Sequence, residues 1–132
     1  MKTLIIAEAG VNHNGDPALA RALVAAAADA GADLVKFQTF ITSKIISMDA
    51  PKARYQETAS APDENQYDMV RRLELSRADH EMLISECRRH DIGFLSTAFD
   101  AGSFDLLMEL GIALVKIPSG EITNLPLLRH MA

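Results

Sequence analysis

Four short apolar runs constrain this chain more than any other feature. They cover residues 3–7, 32–37, 92–95 and 112–117, and a helix-forming stretch follows each. Continuously apolar strands are buried on both faces, as in a parallel sheet. The helices between them carry their own punctuation. Asp16 before Pro17 reads as an N-cap and first helical residue, and Gly31 closes that helix after about residue 30. Ser76-Arg77-Ala78-Asp79 reads as a capping box, with Asp in place of Glu, for a helix running to about His90. Asp100 caps a third helix through Leu110 with Gly111 behind it, and a fourth begins near Asn124 to Pro126. Four successive βα units imply an α/β fold, a parallel sheet with right-handed crossovers. Between the second strand and its helix lies a long excursion, residues 39–75, with Pro51, Pro62 and a helical stretch near 66–73. A connection this long is usually functional.

The charge balance limits the partners. Thirteen basic and eighteen acidic side chains give a net charge of −5. That excludes a broad basic footprint for nucleic acid but leaves room for one local positive pocket around a small anion. No run approaches the roughly 18 consecutive apolar residues of a membrane span. The run Leu4-Ile5-Ile6-Ala7 is too short for a secretion signal and is interrupted by Glu8. The lone cysteine, Cys87, makes neither an internal disulfide nor a cysteine-based zinc site, so a cytoplasmic setting is expected.

The polar residues fall where chemistry is done. The runs end in Glu8, in Lys36 and Gln38, in Ser96 and Thr97, and in Lys116, Ser119 and Glu121. Barrels and open α/β sheets bind ligands at the carboxyl ends of their strands. Lys36 and Lys116 follow apolar pairs and are expected to be partly desolvated, which calls for an anion or a carboxylate nearby. Hydroxyls of Ser96, Thr97 and Ser119, with amides around Gly120, would add phosphate donors. Glu8 and Glu121 would flank the site as metal ligands, water-orienting groups or proton carriers. Plainer roles stand beside these: Glu8 could simply neutralise Lys36 on the adjacent strand, and Ser96-Thr97 could only cap a turn. His13, in a Gly/Asn loop at the same rim, is a further site candidate. His80, His90 and His130 read as helix-surface residues and Cys87 as a core filler.

Several blocks together resemble the sialic acid synthases. They are Ala7-Glu8-Ala9-Gly10-Val11-Asn12-His13-Asn14-Gly15, Gly31 to Phe40 with Lys36-Phe37-Gln38-Thr39, and Ala50-Pro51-Lys52-Ala53-Arg54-Tyr55-Gln56. Leu73-Glu74-Leu75, Phe94-Leu95-Ser96-Thr97-Ala98-Phe99-Asp100 and Lys116-Ile117-Pro118-Ser119-Gly120-Glu121-Ile122-Thr123-Asn124 complete the set. Ala98 departs from the family, which usually has Pro there. The resemblance implies a (β/α)8 TIM barrel that condenses phosphoenolpyruvate with an N-acetylated hexose such as N-acetylmannosamine, giving a nine-carbon sialic acid and phosphate. The wording of the blocks fits the neuraminate or legionaminate branch better than the pseudaminate branch. Lys36, Thr97, Lys116 and Ser119 would contact phosphoenolpyruvate, Glu8 and Glu121 would be catalytic carboxylates, and Gln38 would touch the sugar. The long excursion would form part of the sugar site.

The resemblance also implies a divalent metal, manganese or magnesium, whose histidine ligands lie in the later half of such a barrel. None of the four histidines here is therefore assigned to it. A full barrel takes about 250 residues, so residues 1–132 are expected to be the N-terminal half of the synthase domain, inactive or self-associating on its own. The longer enzyme would be a homodimer. Two other readings stay open on the residues alone: a Schiff-base aldolase using Lys36 or Lys116, and a non-catalytic half-barrel that binds a phosphorylated metabolite.

Overall fold

The computed structural model describes residues 3–48 and 65–132. Three strands, β1 (Ile6–Gly10), β2 (Leu34–Thr39) and β3 (Gly93–Ala98), form one parallel sheet in that order. Helix α1 (Pro17–Asp29) joins β1 to β2. Helices α2 (Thr42–Ile45), α3 (Gln66–Arg71) and α4 (Arg77–Arg89) lie between β2 and β3. After β3 come α5 (Ala101–Glu109), a 3-10 turn (Ser119–Glu121) and α6 (Leu125–Met131). The block 50–56 lies outside the described residues.

The helix starts are where the sequence puts them. The Asp16 carboxylate accepts from the Ala18 amide at 2.8 Å. Ser76 and Asp79 close a reciprocal capping box, and Asp100 accepts from the Ser103 amide at 2.9 Å. α2 is a single turn that the pattern of residues 39–75 did not announce.

The strands are displaced towards the C terminus of the apolar runs. Ile5 stands just ahead of β1, its amide bonded to the Asp33 carboxylate and its carbonyl to the Asp33 and Leu34 amides. The ladder then runs past the apolar residues to include Glu8, Lys36, Gln38, Ser96 and Thr97. These five expected residues thus sit inside hydrogen-bonded strands rather than in the loops beyond them.

Strand alternation sorts the side chains into two faces. Outward, Ala9, Val35 and Phe37 pack against Ala20, Val24 and Ala27 of α1 and Leu83 and Cys87 of α4. The helical members recur at three- and four-residue spacing, one face of each helix. A smaller cluster joins Ala98 to Phe104 and Leu107 of α5. Inward, the sheet presents Ile6 and Glu8, then Leu34, Lys36 and Gln38, then Leu95 and Thr97.

The expected fourth strand is not formed. No backbone hydrogen bond joins residues 113–117 to β3 among the described residues. A strand apolar on both faces is held where layers cover both. Here Leu114, Val115 and Ile117 remain 41–46% exposed. Among the described residues no helix is long and apolar enough to cross a membrane.

Candidate active site

The register of the sheet assembles the site. Parallel pairing sets Glu8 opposite Lys36 and Gln38 opposite Thr97. The Lys36 Nζ lies 2.6 Å from Glu8 Oε2 and donates to Thr97 Oγ1 at 3.1 Å. The Lys36 side chain is 11% exposed and that of Glu8 is 53% exposed, so the cation is sunk in the sheet while the carboxylate opens outward. Lysine has only donors, so the Thr97 oxygen is the acceptor and its hydroxyl proton is left for another group. The three residues border or adjoin a cleft of about 450 Å³ whose walls include Ile6, Glu8, Lys36, Leu95, Val115 and Lys116.

Gly10 gives this arrangement its shape. The β1–β2 register slips between Glu8 and Gly10, a bulge, and Gly10 has φ +55°. A Cβ there would stand 3.2 Å from Glu8 Oε1 and 3.7 Å from the Gln38 side-chain nitrogen. Glycine therefore lets the chain turn without displacing either side chain. Gln38 also borders a second cavity, of about 240 Å³, walled by Val11, Phe40, Ile45, Val70, Leu73 and Phe99.

Glu8, Lys36 and Thr97 are thus brought together, Lys116 shares their cleft, and Gln38 stands beside it. Lys116 is exposed rather than desolvated, because the strand expected to hold it is absent; its Nζ donates to the Ile117 carbonyl at 3.2 Å. Ser119 and Glu121 lie on the 3-10 turn and are not among the cleft walls. Glu121 accepts from Asn124 Nδ2 at 2.7 Å.

Three sequence readings are corrected. Ser96 faces the helices, not the cleft, and bonds Thr39 Oγ1 at 2.6 Å. His80 is fully buried rather than on a helix surface, with Nε2 2.7 Å from Thr39 Oγ1 and Nδ1 2.7 Å from the Ser76 carbonyl. A carbonyl only accepts, so Nδ1 carries the proton; Ser96, Thr39, His80 and Ser76 form one chain of hydrogen bonds tying β3 and β2 to the start of α4. Burial lowers the His80 pKa, against the opposing pull of the Ser76 hydrogen bond and Asp79. His13 is also fully buried, its ring 6.2 Å from the outward-facing Phe37, so it does not reach the cleft. Its Nδ1 accepts from the Gly15 amide at 3.0 Å, and burial lowers its pKa against the pull of Asp79. Outward hydroxyls at Thr39 and Ser96, on alternating strands otherwise packed on a core, were the signal that a polar helix residue had to meet them.

Among the described residues no three His, Cys, Asp or Glu side chains gather to hold a metal ion. These residues alone do not fit the divalent metal that the resemblance implies, and no step below is routed through one.

The NeuB family model matches residues 23–132. The chain is 57% identical over 131 residues to the N,N'-diacetyllegionaminic acid synthase of Campylobacter jejuni, covering 99% of this chain and 39% of that protein. It is 50% identical to the synthase of the same name from Legionella pneumophila, covering 100% of this chain and 37% of that one. Among solved structures, the N-acetylneuraminic acid (sialic acid) synthetase of Leptospira borgpetersenii superposes with a TM-score of 0.80 at 29% identity, over 97% of this chain and 41% of that one. The chain therefore spans about two fifths of the length of the proteins it matches, and its parallel α/β fold is that of part of their barrel. On the strength of the family match, which runs from the middle of α1 onward, and of these similarities along its whole length, the chain belongs to the NeuB family.

Proposed function

We propose that this chain supplies the phosphoenolpyruvate-binding part of a synthase that condenses phosphoenolpyruvate with an N-acetylated hexose. The products are a nine-carbon sialic acid, of the neuraminic or legionaminic kind, and inorganic phosphate. One observation carries the reading: a sunken lysine, Lys36, held between Glu8 and Thr97 on adjacent parallel strands and facing an open cleft. A barrel binds its substrate at this end of its strands.

Each residue has a defined task. Lys36 attracts the anionic substrate and is held in place by its ion pair with Glu8. Thr97, whose oxygen is already occupied by Lys36, turns its free proton to an anionic oxygen. Lys116, on the same cleft, adds a second cation. Ser119 and Glu121, on the 3-10 turn that follows, are further candidates from the same motif, although they stand outside the cleft walls here. C3 of phosphoenolpyruvate attacks the open-chain aldehyde of the sugar, water adds at C2, and the phosphate leaves from that carbon. Glu8, the exposed partner of the ion pair, accepts the proton of that water in this reading. Gln38 contacts the sugar.

The test is phosphate release from phosphoenolpyruvate in the presence of manganese, with and without N-acetylmannosamine or its 2,4-diacetamido counterpart. It is run on this chain and on a version continued along its reading frame to the length of its relatives. Sugar-dependent release by the longer protein supports the reading. A borohydride-trapped pyruvate adduct on Lys36 or Lys116 would instead support an aldolase.

A further inference from the structure

Resting on that reading, we propose that Ser96, Thr39 and His80 are positioning residues, which hold Thr97 of β3 against Lys36 of β2 from the opposite face of the sheet. The register places the two sets back to back. On the cleft face, Lys36 stands opposite Leu95 and reaches two residues on, to Thr97 Oγ1 at 3.1 Å. On the helix face, Ser96 stands opposite Phe37 and reaches two residues on, to Thr39 Oγ1 at 2.6 Å. Successive side chains of a strand point to opposite faces, so fixing Ser96 fixes its neighbour Thr97. The first bond leans forward from β2 to β3, the second forward from β3 to β2. A slide of β3 along β2 that stretches one must compress the other, and 2.6 Å is already near the short end of an O–H···O bond. The backbone ladder sets which residues pair; the outer bond narrows the offset left within a pair.

The protons of this chain of bonds run one way. His80 Nδ1 donates to the Ser76 carbonyl at 2.7 Å, so its Nε2 accepts from the Thr39 hydroxyl at 2.7 Å. The Thr39 oxygen then accepts from Ser96. His80 anchors the assembly to α4, and its ring meets Phe94 of β3 edge-on, 6.2 Å between centroids. Ser96, Thr39 and His80 are all buried. Replacing all partners of a buried hydrogen bond by apolar groups of like shape costs little stability. A fully paired buried chain instead specifies one geometry. What these three groups add is alignment, and the residues they align meet phosphoenolpyruvate from two separate strands.

The experiment uses the longer protein and the phosphate-release assay, with N-acetylmannosamine or its 2,4-diacetamido counterpart. Thr39→Val combined with Ser96→Ala and His80→Phe removes the whole chain of bonds and strands no partner, because the Ser76 carbonyl still accepts from the backbone amide at position 80. The urea midpoint should stay close to that of the unaltered protein. The KM for phosphoenolpyruvate should rise about tenfold. The KM for the sugar should stay within about threefold, because Gln38 stands on β2 alone. With Thr97→Val already in place, the same three substitutions should raise the KM for phosphoenolpyruvate by less than about twofold, the inner bond being gone. Thr39→Ser, which keeps the hydroxyl, should leave both KM values as they are. A triple variant with an unchanged KM for phosphoenolpyruvate, or with both KM values raised alike, would overturn the proposal, as would an undiminished effect beside Thr97→Val. Should the triple variant not fold, Ser96→Ala alone, in which Thr39 keeps its bond to His80, carries the same comparison at about threefold. An unchanged KM for phosphoenolpyruvate in that variant would overturn the proposal equally. No sugar-dependent release by the unaltered longer protein would overturn the synthase reading, and this proposal with it.

Discussion

Glu8 and Lys36 stand directly opposite each other on β1 and β2, 2.6 Å apart, yet share their burial unequally. This asymmetry sets what each substitution does. Removing Glu8 leaves a sunken ammonium with only the Thr97 hydroxyl among the described residues, whereas removing Lys36 leaves a carboxylate that water already reaches. Glu8→Ala should therefore destabilise by about 1–3 kcal/mol and Lys36→Met by less, read from urea midpoints. The order should reverse for binding: Lys36→Met should raise the KM for phosphoenolpyruvate by about 10- to 100-fold in the longer protein, the loss of one charge-assisted contact. Equal midpoints for the two variants would contradict the unequal burial.

Gly10→Ala carries two costs. The residue has φ +55°, where a Cβ is disfavoured by about 1–2 kcal/mol. The new methyl group would also stand 3.2 Å from Glu8 Oε1. The unfolding midpoint should fall by the backbone cost, and phosphate release should fall further than the lost stability explains. A variant that loses stability alone would show that the Glu8 carboxylate adapts without consequence.

The sequence announced the strand–helix alternation, the helix caps and the grouping of Glu8, Lys36 and Thr97, because these depend on local pattern and register. It misplaced the strand ends because apolar runs stop where inward polar residues begin, whereas backbone pairing continues through them. Residues 112–117 are as apolar as β1, but a strand exists only where a neighbour and a covering layer meet it. His80 looked like a surface residue because its own helix is mostly polar; the hydroxyl that receives it, Thr39, comes from a strand 41 residues away. Glu121 and Ser119 belong to the motif by sequence, but their turn keeps Glu121 with Asn124.

Cys87 should be unreactive in the folded protein. It is 1% exposed, and burial, with a smaller contribution from Glu86, pushes its thiol up to about 12. At pH 8 only about one molecule in ten thousand carries the reactive thiolate. A disulfide reagent should label it only after urea is added, on the time course of unfolding. Prompt labelling without denaturant would mean that α4 opens locally from the sheet.

Acid should weaken the fold through its two buried imidazoles. His80 and His13 both have folded-state pKa values below the ordinary one of about 6.5, chiefly through burial. Above that value both histidines are neutral in the folded and unfolded chain and add no pH dependence. Below it the unfolded chain takes up protons that the folded chain refuses, so the unfolded state gains as pH falls. Stability should thus decline from just above pH 6.5 downward until the folded-state values are passed. His80 faces Thr39 on the helix side of the sheet, with Ser76, Arg77 and Asp79 on its own helix or cap. His80→Phe keeps the ring packing and removes the proton uptake, so its urea midpoint should vary less between pH 7.5 and 5.5 than that of the unaltered chain. The Thr39–Ser96 bond remains to hold the strands, which limits the loss at pH 7.5 to about 1–2 kcal/mol. An unchanged slope in this variant would mean that His80 titrates alike in the folded and unfolded chain, contrary to its burial.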